Sequence, residues 1–426
     1  MKRRIILTSA VAILAFLGTG KLVAQFTLTG EIRPRSEYRH GFKKLINDGE
    51  DAAFFTEQRS RLTADFKQDK LTLKISIQDV RIWGAVNQIY KSDPALSAFN
   101  EAWGQYAFTE AFSVKAGRQE LNYDNARFLG NLGWAQQSRS HDVLLAIFES
   151  DMINIHGGIA FNQDANTPEF KKLTSTYYSG VNNYKAMQYA WFNKKFDKHS
   201  LSLLVLNNGI QTGVADTSDI SYSQTYGLYG KFKPGSLVIE GEAYYQGGKD
   251  AGDNDISAYL LSASVGYTGM AKFKPSIGGD YLSGNEADAT KNNAFTPFYG
   301  TNHKFYGFMD YFYVGNPHGN AGLIDLYFKA AFPFGKKVKL LTHLHQFMSP
   351  TTIYNGSGEE MDSGLGTEVD LVLNVNLSSS TNLKMGYSQL FATETMEQLK
   401  GGSKDQTNNW AWLMLTFKPT LFTTKE

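Results

Sequence analysis

Val369 to Leu377 reads VDLVLNVNL. Val369, Leu371, Leu373, Val375 and Leu377 fall on one side of an extended chain, and Asp370, Val372, Asn374 and Asn376 fall on the other. A period of two is the signature of a strand with one apolar and one polar face. The same pattern recurs along the chain. Ile324, Leu326, Phe328, Ala330 and Phe332 alternate with Asp325, Tyr327 and Lys329, and Phe26, Leu28, Gly30 and Ile32 alternate with Thr27, Thr29, Glu31 and Arg33. Comparable segments predict about 18 strands between residues 26 and 418. Tight links such as FDKHS (196–200), FKPGS (232–236), FPFGKK (332–337) and LSSST (377–381) separate them on one side. Long polar links (162–183, 207–221, 285–319 and 393–407) separate them on the other. Short turns at one end and long loops at the other describe an all-β, antiparallel transmembrane barrel with short periplasmic turns and long extracellular loops.

Composition agrees. The 426 residues include 40 Gly, 23 Tyr and 29 Phe, with 10 Pro and no Cys. Without cysteine there is no disulfide framework, thiol catalysis or thiolate metal site. Residues 1–24 read as a signal peptide: Lys2, Arg3 and Arg4, then an apolar run from Ile5 to Leu17, then Ala24 as a small cleavage residue. The expected division is therefore a leader, 1–24, and one barrel domain, 25–426. Losing the leader removes four of 42 basic residues and leaves the 41 acidic ones in slight excess, so no global field draws the chain to nucleic acid. No later apolar run nears the roughly 20 residues of a membrane helix. A soluble sandwich is disfavoured because inward Glu240 and Glu242, or Asp370 with Asn374 and Asn376, would be costly in a dry core. Tyr106 and Phe108, Trp191 and Phe196, and Trp410 and Trp412 stand at strand ends, where interfacial aromatic girdles are expected.

Arginine is distributed unevenly. Beyond the leader there are Arg33, Arg35, Arg39, Arg59, Arg61, Arg81, Arg118, Arg127 and Arg139, and none follows Asp142. These nine are the candidate lumen and solute-contacting residues, because guanidinium forks onto carboxylates and is weakly hydrated for a cation. Arg33 with Arg35 and Arg59 with Arg61 share faces of adjacent strands, either as a ladder for anions or as ion pairs with Glu31, Glu37, Glu57 or Asp65 that brace the wall. In GRQELNYDNARFLGNLGWAQQSRSHD (117–142), Gly117 is expected to permit a close backbone approach or a bulge, after which Arg118 and Glu120 change face. Tyr123 to Gln137 lacks alternation and reads as a folded loop pinned by Asp124, Arg127 and Arg139. The later inward cations are lysines such as Lys231, Lys274 and Lys329.

That 117–142 stretch and EQRSRLTADF (57–66) resemble the signature of the alginate export family of outer-membrane barrels. GGDYLSGN (278–285) and TPFYGTNHKFYGFMDYF (296–312) are similar to its later blocks. The resemblance implies an 18-stranded barrel in the outer membrane, a monomer surrounded by lipid, that passes an anionic polysaccharide or another anionic solute. Enzymes built on barrels and surface binding platforms are the alternatives. No cofactor motif is present. His343 and His345 share a strand face and supply two possible zinc ligands, without an evident third, so no metal site is expected. Glu240 with Glu242 and Asp370 offer carboxylate pairs of the kind glycosidases use, but pairing on a sequence does not fix separation in space.

Overall fold

The computed structural model describes residues 24–424, apart from 87–88, 90–95, 163–182, 212–218 and 316–317. The expected leader, but for Ala24, lies outside the described residues, as does part of the long link 162–183. The strands are β1 Gln25–His40, β2 Ala53–Gln68, β3 Leu71–Ile82, β4 Leu96–Ala107, β5 Phe112–Gln119, β6 His141–Glu149, β7 Ile153–Phe161, β8 Ala186–Phe196 and β9 His199–Gln211. They continue as β10 Ile220–Phe232, β11 Leu237–Gly248, β12 Ala258–Tyr267, β13 Lys274–Leu282, β14 Leu323–Phe334, β15 Val338–Met348, β16 Gly364–Asn376, β17 Thr381–Ala392 and β18 Asn408–Phe417. Each pairs antiparallel with its neighbours in sequence, and β18 pairs with β1, Tyr38 opposite Ala411, to close the ring. Closure satisfies the backbone without leaving an edge, which is what a bilayer demands.

The chain stays in the wall after Phe417. A four-residue β19, Thr420–Thr423, resumes pairing with the start of β1, Leu28 opposite Phe422. It is the continuation of β18 across an interruption at Lys418 and Pro419, so the barrel has 18 staves. The first and last described residues, Ala24 and Thr424, lie at the end with the tight turns. The long connections gather at the other end.

Alternation sorts the wall as expected. Ile277, Ile159 and Leu62 point out into apolar surroundings, whereas Glu242, Asp280, Asp325 and Asp370 point in and are buried. The core is therefore inside the barrel, where apolar side chains are buried together with many polar and charged ones. Leu121, Phe128 and Leu129 from the connection 120–140 (L3) and Phe295, Tyr306, Met309 and Phe312 from the connection 283–322 (L7) pack against Val143, Leu206, Leu260 and Trp410 of the wall. A helix absent from the sequence reading, α1 Glu394–Lys400, lies in the connection 393–407 and buries Met396 in the same cluster. Thr393 caps it by accepting a hydrogen bond from Met396 N at 3.2 Å.

Three expectations are corrected. Gly117 makes no bulge: Trp103 stays opposite Gly117 and Ala102 opposite Arg118 in unbroken register. The close backbone approach, the other expectation for this glycine, is what the structure has: φ is +119° and an added Cβ would lie 2.3 Å from the Ala102 carbonyl. Arg118 consequently stays on the outer face at the rim, bonded to its cross-strand neighbour Asp142 at 2.9 Å. Arg81 shares the outer face of Ile75 and Ile77 and pairs with Asp79 at 2.5 Å, so neither arginine lines the lumen. Trp191, Trp410 and Trp412 are not girdle residues, because their positions alternate inward and all three are buried. Tyr106, Phe108 and Phe196 do face out.

The outer face generates a quantitative expectation. Ile277, in the middle of β13, is 61% exposed on the apolar side. Ile277→Arg should destabilise the barrel in lipid vesicles by about 2–4 kcal/mol in denaturant titrations. No measurable loss would place this face away from lipid.

Candidate functional site

The inward positions of β1 and β2 form a charged lattice. The register sets Glu31 opposite Arg61, Arg33 opposite Arg59 and Arg35 opposite Glu57. Two like charges face each other directly at Arg33 and Arg59, which is unfavourable unless each finds other partners. Arg59 takes Glu31, its Nε donating to Oε1 at 2.8 Å. Arg35 donates from Nε to Glu37 at 2.7 Å and reaches Glu57 at 3.3 Å, and Arg39 caps the column on Glu37 at 2.9 Å. Arg33 has no carboxylate within ion-pair distance among the described residues. It donates instead to the carbonyl oxygens of Gly133 (2.9 Å), Trp134 (3.1 Å) and Ala135 (3.1 Å) and to Gln136 Oε1 at 3.0 Å.

Those acceptors belong to L3. Arg35 donates to Trp134 O at 2.9 Å, Arg59 to Gln136 O at 3.3 Å and Ser138 Oγ at 3.1 Å, and Arg61 to Ser138 Oγ at 3.0 Å. The arginine ladder thus holds the segment 133–138 by its carbonyl edge. The Trp134 ring lies under the Arg35 guanidinium at 4.3 Å and packs on Trp412 at 4.7 Å and His303 at 4.8 Å. Trp410 and Trp412 face inward to meet it.

From the ladder L3 crosses the lumen to the opposite wall. Arg127, buried, donates to Glu242 of β11 at 2.9 Å, to Asp280 of β13 at 3.0 Å and to Tyr306 Oη at 2.7 Å. Removing it would strand two buried carboxylates, a loss of about 3–5 kcal/mol by analogy with broken buried ion pairs. Asp124 takes a hydrogen bond from Ser202 Oγ of β9 at 2.5 Å and one from Trp191 Nε1 of β8 at 3.0 Å. Arg139 makes no bond to Asp142 among the described residues. It donates to the carbonyls of Gly130 and Gly300, at 3.4 and 2.8 Å, and so ties L3 to L7.

The seam between the two loops depends on two glycines. Gly130 N donates to Tyr299 O at 2.8 Å and Thr301 N to Ala126 O at 2.9 Å. A Cβ on Gly130 would meet Thr301 Oγ1 at 2.3 Å, and one on Gly300 would meet Arg127 O at 2.1 Å. L7 is anchored further by Tyr299 Oη donating to Asn208 (2.6 Å) and by Glu368 accepting from Met309 N (2.9 Å). L3 and L7 together form a plug. Beside it lies a cavity of about 470 Å³ lined by Arg139, Phe298, Tyr299, Asn302 and Tyr313. Another of about 170 Å³ is lined by Asn125, Arg127, Glu240, Lys304 and Lys329.

The structure gathers Arg33, Arg35, Arg39, Arg59 and Arg61 on one wall, with Arg127 and Arg139 in the plug. Arg81 and Arg118 stand apart, outside. The sequence reading missed Trp134 and Gln136, which lie in an aperiodic loop, and the carbonyl acceptors, which no side-chain pattern reveals. Glu242 Oε1 accepts from Arg127, and Asp370 Oδ1 from Ser388.

Comparison with known proteins agrees with this architecture. The family model for alginate export matches residues 24–409. No curated protein is a significant sequence match. Among solved structures, Pseudomonas aeruginosa OpdK with vanillate superposes with a TM-score of 0.59 at 10% identity, over 92% of this chain and 98% of that one. Pseudomonas aeruginosa OccK9 (OpdG) gives 0.62 at 11%, over 93% and 98%, and Acinetobacter baumannii OccAB4 gives 0.61 at 12%, over 94% and 100%. At these identities the likeness establishes the fold.

Asp124 makes plug docking sensitive to pH. Burial first, and then the Glu242 charge, push its carboxyl up to about 6, against the Ser202 and Trp191 hydrogen bonds that favour the ionised form. A carboxyl raised from 3.8 on docking binds its proton more tightly when docked, so docking strengthens as pH falls through about 6 and weakens above it. Limited proteolysis of L3 in the folded barrel should be slower at pH 5 than at pH 7. Asp124→Asn should give the slow rate at both values, and an unaltered pH response in that variant would remove Asp124 from the account.

Proposed function

The chain belongs to the alginate export family of outer-membrane β-barrels, and from that membership we propose that it is a gated channel for carboxylated solutes, an anionic polysaccharide or a smaller anion. The path runs along the arginine wall of β1 and β2, and L3 is the constriction. One observation carries the proposal. On this wall Arg35, Arg39, Arg59 and Arg61 each reach a carboxylate, but Arg33 reaches none among the described residues and is met instead by the neutral carbonyl oxygens of 133–135. Carbonyl dipoles satisfy hydrogen bonds without cancelling charge. A carboxylate offers the same forked geometry with the opposite charge, so it competes for the sites that the loop occupies.

Bracing and conduction are then two states of one ladder. With L3 docked the arginines hold the plug; with L3 displaced they face the lumen. The field of an uncompensated guanidinium acts within about 8 Å at physiological salt.

The test is Arg59→Ala combined with Arg61→Ala in planar bilayers. Outward Leu62, Ala64 and Phe66 are untouched, so assembly should survive, as read from heat-modifiable migration. The native channel should prefer anions at low salt, the double variant should shift toward cations, and the difference should shrink as salt rises. Conductance should also increase, because Ser138 and Gln136 lose their donors. A native channel that prefers cations, or a variant that conducts identically, would contradict the proposal.

A further inference from the structure

The inward faces of β14, β15 and β16 carry a group of residues that plug docking does not account for. Register sets His343 opposite Asp370 and His345 opposite Glu368. One nitrogen from each imidazole and one oxygen of Asp370 lie within 4.8 Å of one another. The third ligand absent from the sequence reading is thus Asp370, brought in by strand pairing. We propose that His343, His345 and Asp370 bind a divalent transition-metal ion of the zinc class.

The surroundings of each ligand fit such an ion. His345 Nδ1 bonds both Asp325 oxygens at 2.9 Å, so Nδ1 carries the proton and Nε2 keeps its lone pair for a metal. A carboxylate behind a ligating imidazole is the usual support of metal-bound histidine. Asp370 Oδ1 accepts from Ser388 Oγ at 2.5 Å, which fixes the carboxylate, while on its other side the only hydrogen-bond partner among the described residues is the neighbouring Glu368 carboxyl. His343 Nδ1, on a half-buried ring, lacks a partner among the described residues. A ring nitrogen without a partner beside a buried carboxyl pair is costly if nothing fills the space between them.

Ligand chemistry selects the ion. Two imidazoles and one carboxylate suit Zn²⁺ or Co²⁺, whereas Ca²⁺ and Mg²⁺ require oxygen ligands. Donors at about 2.0–2.1 Å from a tetrahedral centre stand roughly 3.3 Å apart, so the three must close slightly, and His343 has no hydrogen bond at Nδ1 to break in doing so. The site lies under the tip of L7. Phe308 packs on the His343 ring at 4.8 Å, and Met309 N bonds the neighbouring Glu368. Lys329, opposite His343 on β14, is the competing cation, but its Nζ lies 4.2 Å over the Tyr327 ring and makes no ion pair with Asp370 among the described residues.

The folded full chain in detergent, stripped with chelator, should be titrated with Co²⁺ followed by its visible ligand-field absorption, and with Zn²⁺ by calorimetry. One ion per barrel is expected, with Zn²⁺ displacing Co²⁺ and Ca²⁺ failing to. His343→Ala and Asp370→Asn should each weaken binding at least tenfold, and Asp325→Asn, which touches no ligand position, about 10–100-fold. Heat-modifiable migration identifies variants that fold. His343→Ala, which breaks no hydrogen bond at Nδ1, keeps the test decisive if the others do not fold. Absence of stoichiometric uptake by the native chain, or uptake unchanged in the folded variants, would overturn the site.

Discussion

Guanidinium groups inside a barrel must be given acceptors, and on β1 and β2 there are fewer carboxylates than arginines. The shortfall decides how the lumen is filled. Arg33, opposed by Arg59 instead of by an acid, takes the main-chain oxygens of 133–135, and Arg35 takes that of Trp134 as well. Once that edge of L3 is fixed, the loop must cross the barrel, and Arg127 meets Glu242 and Asp280 on the far wall. The charge asymmetry runs one way at each end: arginines on the wall hold loop carbonyls at one, and acids on the wall hold a loop arginine at the other.

Between these anchors the plug is apolar. Leu121, Phe128 and Leu129 bury against wall residues that also face the core, and the seam with L7 closes only because Gly130 and Gly300 have no side chains. L3 also holds Asp124, Ala126, Leu129, Leu132 and Ser138 at positive φ, between 49° and 68°, a conformation non-glycine residues adopt only where the surroundings impose it. A loop with backbone strain and polar ends has a docked state of limited advantage, which is the property a gate requires. Asp124 adds a proton to that balance.

The wall was legible in the sequence because period two survives wherever one face meets lipid. All 18 staves lie where alternation put them, to within a few residues. The plug was not legible. At the loop end of the barrel both faces are apolar, as at Leu203 to Leu206, so alternation fades where the lumen is full. Trp410 and Trp412 read as girdle residues by type, yet they share the parity of Asn408, which a stricter count would have placed inward. Arg81 was assigned to the lumen by residue type and Arg118 by a change of face expected after Gly117, although the parity of Ile77 and Ala116 places both outside. Asp370 as the partner of His343 depends on the register of β15 with β16, which one-dimensional spacing does not contain.

The central claim is that the carbonyl edge of 133–136 occupies the positions an anion would take on the arginine wall. Replacing 133–138 with a Gly-Ser linker of equal length removes that edge and leaves every arginine in place. Single-channel recording in a salt gradient should then give a larger conductance and a stronger anion preference than the native barrel. Unchanged conductance, or a shift toward cations, would contradict it.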